Sequence, residues 1–374
     1  MTQLTSQLHA PCHFVDCTMT KSSCTIVALV LASFCALPSL TLNVKLSGLN
    51  YNPRKGADWE PWELKCKSAE EVTLDLRAIS LITDHIRLYS MNDCNQVELV
   101  VPAAKALGLK VWLGMWVDQH NTTYFAERDA LKALIQKGVI DSSITGLHVG
   151  SEAIYRNDIT VWEAIDYFWE VKAIVNNAGL TFPVTIADVG DVYAGHPELF
   201  HVVDVVSANS FPFWENKTID ECITYFYMRM GPVIGMARVF NKKIIIGETG
   251  WATSGWAYRA GVASPDNAAL WLNDFHVFAQ EFGWQYYYYF AFDTTWRHNT
   301  DANITEPEVE NYFGLFDSTR HLKPAYANLN IQKRKQYGYP PVPTWPNVPT
   351  PTESTWDVVQ NVIAAVFTVF EGLW

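Results

Sequence analysis

Between residues 44 and 292 the chain alternates short, nearly unbroken apolar runs with longer stretches whose apolar residues recur at helical spacing. The runs are VKLSGLNY (44–51), HIRLY (85–89), KVWLGMW (110–116), ITGLHVGSE (144–152), PVTIADV (183–189), VDVVSANSF (203–211), KKIIIGETGW (242–251) and QYYYYFAF (285–292). Parallel strands covered on both faces read as continuous apolar runs rather than as alternation. The segments between them carry helix-start chemistry. Ser68-Ala69-Glu70-Glu71 fits a capping box, Thr218-Ile219-Asp220-Glu221 has a related pattern, and Ser264-Pro265-Asp266 sets a cap, a proline and an acid in the order a helix start prefers. Residues 158–178 and 267–282 have helical apolar spacing, while 190–202 has room for one turn of helix. Eight strands alternating with helices predict a closed (β/α)8 TIM barrel over 44–330. An open doubly wound sheet would carry a Gly-rich phosphate loop after its first strand, and LNYNPRKG is not one.

The flanks follow other patterns. Lys21 precedes an apolar run over 25–37, ended by Pro38 and followed by Asn43 and Lys45, which predicts a cleaved secretory signal within residues 1–40 and is too short to span a bilayer. Met19 would give an ordinary signal length, so 1–18 reads as a start-site artefact. Residues 331–355 are polar and Pro-rich, as an extended linker is. The tail 356–374 puts Val359, Ile363, Val366, Phe370 and Trp374 on one helical stripe, a short amphipathic segment whose role the pattern leaves open.

Composition narrows the class. Aromatics make up 14% of the chain, with 15 Trp, enough both for a large core and for surfaces that stack on sugar rings. The net charge of −12, with no basic stripe beyond Lys333-Arg334-Lys335, argues against a nucleic-acid partner. Secretion is consistent with sequons at Asn121, Asn216 and Asn303. Past the signal, Cys66, Cys94 and Cys222 remain. The expected disulfide is Cys66–Cys94 with Cys222 unpaired, three buried reduced cysteines being the alternative. No HExxH, paired CxxC, GxSxG or P-loop occurs, and His148, inside the fourth run, reads as a core histidine rather than a metal ligand. No metal or cofactor is expected.

Active sites of such barrels lie at the C-terminal ends of the strands. The fourth run ends in Val149-Gly150-Ser151-Glu152, the seventh in Gly247-Glu248-Thr249-Gly250-Trp251, and Asp293 follows the eighth. Strands four and seven sit three apart around a ring of eight, so Glu152 and Glu248 face one another across the mouth. Two carboxyls across a cleft, one protonated and one ionised, are what glycoside hydrolysis requires.

The chain resembles glycoside hydrolase family 17, the β-1,3-glucanases, and in particular its fungal and oomycete wall-associated branch. The resemblance runs from about Gly48 to Leu329. It rests on the order and spacing of Gly48-Leu49-Asn50-Tyr51, Arg87-Leu88-Tyr89, Asp93-Cys94-Asn95, Leu113-Gly114-Met115-Trp116, Val149-Gly150-Ser151-Glu152, Ala208-Asn209-Ser210-Phe211-Pro212, Gly247-Glu248-Thr249-Gly250-Trp251, Phe292-Asp293 with Trp296, and Glu310-Asn311-Tyr312-Phe313-Gly314-Leu315-Phe316. It implies a retaining mechanism with Glu152 as acid/base and Glu248 as nucleophile, and it agrees with the Cys66–Cys94 pairing. Tyr51, Tyr89, Ser151, Asn209, Trp251, Trp296 and Glu310 are the expected sugar-binding residues; barrel-layer packing is the other reading of the aromatics. Three departures stand out. Ser151 replaces the asparagine usual before the acid/base. Phe211 replaces a tyrosine of plant members. Thr294 and Arg297 stand where Glu and Lys are usual after strand eight.

The expected activity is cleavage of β-1,3-glucan by a secreted or wall-associated monomer that takes a β-glucan polysaccharide or oligosaccharide. A β-1,3-glucan transglycosylase using the same two glutamates is the alternative, and a non-catalytic glucan-binding wall protein a third reading. Endo against exo action, mixed-linkage preference and the partner of Cys222 are not legible at this level.

Overall fold

The structure, a computed structural model, describes residues 42–297, 305, 307–327 and 329–339. The signal segment, Asn303 and the tail 356–374 lie outside the described residues.

All eight apolar runs contain a strand: β1 Leu49–Asn50, β2 His85–Arg87, β3 Lys110–Met115, β4 Gly146–Ser151, β5 Val184–Val189, β6 Val206–Asn209, β7 Ile244–Thr249 and β8 Gln285–Tyr288. They pair in sequence order, all parallel, and β1 pairs with both β2 and β8, so the sheet closes into a barrel. The strands are shorter than the runs, which extend past them at one end or the other.

Around the barrel lie α1 Ala69–Ser80, α2 Gln96–Ala106, α3 Asn121–Gln136, α4 Val161–Asn177, α5 Gly190–Gly195, α6 Glu198–Val202, α7 Cys222–Val239 and α8 Pro265–Phe282. Ser68 closes the predicted capping box on α1, Thr160 closes a second on α4, and Ser264 caps α8 with Pro265 at its first position. Each cap satisfies first-turn amides that have no carbonyl partner. Two expectations are corrected. Thr218 and Glu221 hydrogen-bond to each other in a turn ahead of α7 rather than capping it. The stretch 190–202 holds two short helices, α5 and α6, parted at His196-Pro197, since the residue before a proline is pushed out of helical backbone.

The main core fills the layer between strands and helices. Trp112, Ile245 and Tyr287 form a separate apolar cluster. The chain does not leave the barrel at Leu329. Within the segment expected to be a linker, Lys333 pairs with Glu281, Arg334 with Asp274 and Lys335 with Asp220, and the Tyr339 ring lies 4.8 Å from that of Tyr227 and 5.6 Å from that of Phe282. The basic run is thus matched by acids on and beside α7 and α8. Among the described residues, no helix is long and apolar enough to cross a membrane.

Candidate active site

A cleft of about 1520 Å³ opens at the C-terminal ends of the strands, with Glu152 and Glu248 both on its wall. Small-molecule pockets are usually about 300–1,000 Å³, so the cleft suits an extended ligand.

Glu248 belongs to β7. Its Oε1 accepts from Arg87 Nη1 at 2.7 Å and from Ser151 Oγ at 3.2 Å. Arg87 is buried on β2, one residue across the ladder from Asn50, whose side-chain oxygen accepts from the same Nη1 at 2.9 Å. The other guanidinium nitrogen reaches Ser151 Oγ at 3.2 Å. Asn50 in turn donates to the carbonyls of Gly247 and Tyr287, which ties β1, β7 and β8 together at this level. A buried guanidinium needs a partner charge, and Glu248 supplies it at 2.7 Å.

Glu152 stands just past β4 in a distorted stretch. The pairing of β4 with β5 shifts register between His148 and Ser151, and both Gly150 (φ +74°) and Glu152 (φ +58°) are left-handed. A non-glycine residue held there is strained, which surrounding contacts must over-determine. They do so here. The Glu152 amide donates to the Ala187 carbonyl at 2.9 Å, Asp188 accepts from the Ile154 amide at 3.0 Å, and Arg156 donates to the Ser151 and Val117 carbonyls at 2.6 and 3.2 Å. The carboxyl itself accepts from Asn209 Nδ2 at 2.8 Å. Gly247 leaves room for that amide, since a Cβ there would sit 2.5 Å from Asn209 Oδ1.

The two acids therefore occupy different environments. Burial first, and the nearby Glu248 charge second, push the Glu152 carboxyl up to about 7, against the opposing Asn209 hydrogen bond. Glu152 is poised to be protonated near neutrality, while Glu248 sits against a buried guanidinium at 2.7 Å, the kind of asymmetry that an acid/base and nucleophile pair needs.

Of the other predicted residues, Tyr89, Ser151, Asn209, Trp296 and Glu310 line the cleft. Tyr51 and Trp251 do not. The Tyr51 hydroxyl donates to Asp75 of α1 at 2.8 Å, and Trp251 Nε1 donates to the Val262 carbonyl at 3.0 Å with its ring against Phe213 and Trp271. Both are wholly buried in the outer layer. Alternation explains Tyr51: Asn50 points into the barrel, so its neighbour points out. His148 is buried in β4, with its proton affinity lowered by burial. Asp293 pairs with Lys323 at 2.6 Å away from the cleft wall. The Cys66–Cys94 disulfide is formed and Cys222 is free and buried.

The departures have local answers. The Ser151 hydroxyl bridges Arg87 and Glu248, while Asn209 attends Glu152. Phe211 packs edge-on against Tyr289 at 5.7 Å between ring centroids. The Tyr289 hydroxyl lies within the field of Glu310, Glu248 and Glu152, so a tyrosine stands near Glu248 from the end of β8 rather than from β6. A carboxylate missing at Thr294 is present at Glu310, which pairs with Arg297 at 2.9 Å. Arg87, Asn50 and Tyr289 were not among the expected site residues. A lone arginine in the run HIRLY was the available signal, because a guanidinium in a buried strand must be paired.

The family described as the BtgE/BtgC glycoside hydrolase domain matches residues 48–314. A probable glucan endo-1,3-beta-glucosidase btgC of Aspergillus fumigatus is 31% identical over 295 residues, 72% of this chain and 42% of that protein. The glucan 1,3-beta-glucosidase of Saccharomyces cerevisiae is 29% identical over 271 residues, 69% of this chain and 85% of that one. An active-site mutant of the Rhizomucor miehei beta-1,3-glucanosyltransferase, solved with laminaritriose, superposes with a TM-score of 0.66 at 29% identity, over 76% of this chain and 97% of that one; a second structure from Rhizomucor miehei is of a glycoside hydrolase family 17 beta-1,3-glucanosyltransferase. The chain spans less than half the length of the Aspergillus relative. With the barrel, the paired glutamates and the match over most of its length, the chain belongs to the BtgE/BtgC glycoside hydrolase domain family, as the resemblance to family 17 had implied.

Proposed function

We propose that the chain cleaves β-1,3-glucan with retention of configuration, Glu152 serving as acid/base and Glu248 as nucleophile. The observation that carries this reading is the unequal pair on one cleft wall: Glu152 raised to about 7, and Glu248 paired with Arg87 at 2.7 Å. In the first step Glu248 attacks the anomeric carbon while the Glu152 proton passes to the glycosidic oxygen, so one C–O bond forms as the other breaks. In the second, Glu152, now a carboxylate, takes a proton from an incoming hydroxyl whose oxygen attacks the same carbon and frees Glu248. Asn209 and Ser151 hold the two carboxyls in place, and Tyr89, Trp296 and Glu310 contact the sugar.

The identity of the incoming hydroxyl separates two outcomes. Water gives hydrolysis, which accords with the names of the fungal relatives; a sugar hydroxyl gives transglycosylation, which accords with the Rhizomucor neighbour. A product profile from laminari-oligosaccharides distinguishes them, since products longer than the substrate require transfer. The role of Glu248 is tested by Glu248→Gly with azide. A small anion entering the space of the lost carboxylate should yield an α-glycosyl azide, and if instead the variant retains ordinary glucan cleavage, Glu248 is not the nucleophile. Secretion to the wall or medium is supported by the disulfide and by the exposure of Asn121 and Asn216, both open to glycosylation. The segments 1–40, 340–355 and 356–374 are proposed as signal, linker and amphipathic tail, residues 331–339 belonging to the barrel's outer face.

A further inference from the structure

Residues 53–67 form a strap between β1 and α1 that reaches over the cleft rim. Its neck is closed by backbone hydrogen bonds from Lys55 and Gly56 to the Lys65 carbonyl and from Lys67 to the Pro53 carbonyl. It is cross-linked to the loop after β2 by the Cys66–Cys94 disulfide. An ion-pair box reinforces the cross-link: Asp93 takes Arg54 at 2.5 Å and Lys65 at 2.8 Å, and Asp58 takes Arg54 at 2.6 Å. At the tip of this fixed support stands Trp59, 81% exposed yet part of the cleft wall. Asn52 and Asn92 also line the cleft and carry amide groups that can meet sugar hydroxyls.

An indole held out into water on a strap with two kinds of cross-link is an unusual use of apolar surface. Its ordering cost is met before any ligand arrives, so stacking on it is favoured. We propose that Trp59 is a remote glucosyl-binding platform that engages a sugar unit of a β-glucan chain away from the bond being cleaved, and thereby sets a preference for longer chains. This rests on the glucan reading of the cleft and extends it along the groove. The continuity of Trp59 with the wall that carries Glu152 and Glu248 identifies the occupant as the same chain.

Trp59→Ala should lower kcat/KM for long laminari-oligosaccharides roughly three- to tenfold, mostly through KM, with the loss growing with chain length. Trp59→Tyr should restore most of the preference. Tyr258→Ala, an exposed aromatic outside the cleft wall, should leave the chain-length dependence unaltered. Because Trp59 is exposed, unaltered melting of Trp59→Ala checks that the fold is intact. Equal losses at every chain length, or none at any, overturn the proposal. Calorimetric binding of laminaritriose and laminarihexaose to Glu248→Gln, with and without Trp59→Ala, reads the platform apart from catalysis. If the wild type cleaves no β-1,3-glucan but the hexaose advantage still depends on Trp59, the catalytic reading fails and the platform stands. If the hexaose advantage is independent of Trp59, the platform fails whatever the activity.

Discussion

Replacing Asn209 by alanine isolates one contribution to the state of Glu152. The amide donates to the carboxylate at 2.8 Å and is the main group opposing the upward push from burial and from Glu248. A hydrogen bond to a charged group is worth about 1.5–3 kcal/mol, and one pKa unit corresponds to about 1.36 kcal/mol, so complete loss would raise Glu152 by about 1–2 units. Water entering the vacated space recovers part of this, leaving a rise of about one unit. In the proposed mechanism Glu152 must enter protonated, so kcat/KM falls as pH rises through its pKa, and Asn209→Ala moves that falling limb from about 7 to about 8. With the limb at 7 roughly a tenth of the acid form survives at pH 8; with it at 8 about half does. Each profile normalised to its own plateau, the variant should retain about fivefold more activity at pH 8, even though its plateau is lower.

The assay is kcat/KM for laminarihexaose across pH 4–9, joined to a carbon-13 titration of Glu152 in both proteins. Asn209→Asp sharpens it, since a second carboxylate at this distance would share a proton with Glu152 and push the limb higher still. Superimposed normalised profiles, or a limb that moves to lower pH, would show that the Asn209 hydrogen bond does not set the ionisation of Glu152.

Arg87→Ala leaves Glu248 buried without its charge partner, and loss of one member of such a pair costs about 3–5 kcal/mol; chemical denaturation should show a loss of that order together with near-complete loss of glucan cleavage. Cys66→Ser with Cys94→Ser opens a loop spanning 28 residues of sequence separation, for which chain entropy gives about 3–4 kcal/mol, readable as a fall in Tm. Glu127, buried behind the β2 loop and accepting from the Met91 amide at 2.6 Å, is raised to about 7, chiefly by burial. Its folded value exceeds the unfolded one near 4.5, so its contribution favours folding fully below pH 4.5 and is lost as pH rises through 7; Glu127→Gln should flatten that part of the stability profile by up to about 3 kcal/mol.

The barrel was legible because its physics is one-dimensional. A parallel strand covered on both faces needs an apolar run, and eight runs separated by helix starts leave little choice of fold. The same property hid which side chains face the mouth. In a strand apolar on both faces, hydrophobicity no longer marks inside from outside, so Tyr51 and Trp251 looked as eligible as Tyr89. Only the register decides: Asn50 pairs across from Arg87, both point inward, and Tyr89, two residues on, shares that direction while Tyr51 does not. Tyr289 was hidden for a related reason, being one of four consecutive tyrosines of which the next strand-end turn selects one for the cleft.

Arg87 shows what that register accomplishes. An arginine in the middle of an apolar run is costly unless the fold brings it an anion, and sequence alone names no partner among distant acids. Once β2 stands across the barrel from β7, Nη1 of the guanidinium meets Glu248 and also Asn50 on β1, and Nη2 reaches Ser151 on β4. The same serine also donates to Glu248. The position before Glu152 is therefore tied to the Glu248 carboxylate, while Asn209 on β6 hydrogen-bonds Glu152 itself. Ser151 thus joins the charge network of Glu248, and β6, two strands away from β4, supplies the amide for Glu152.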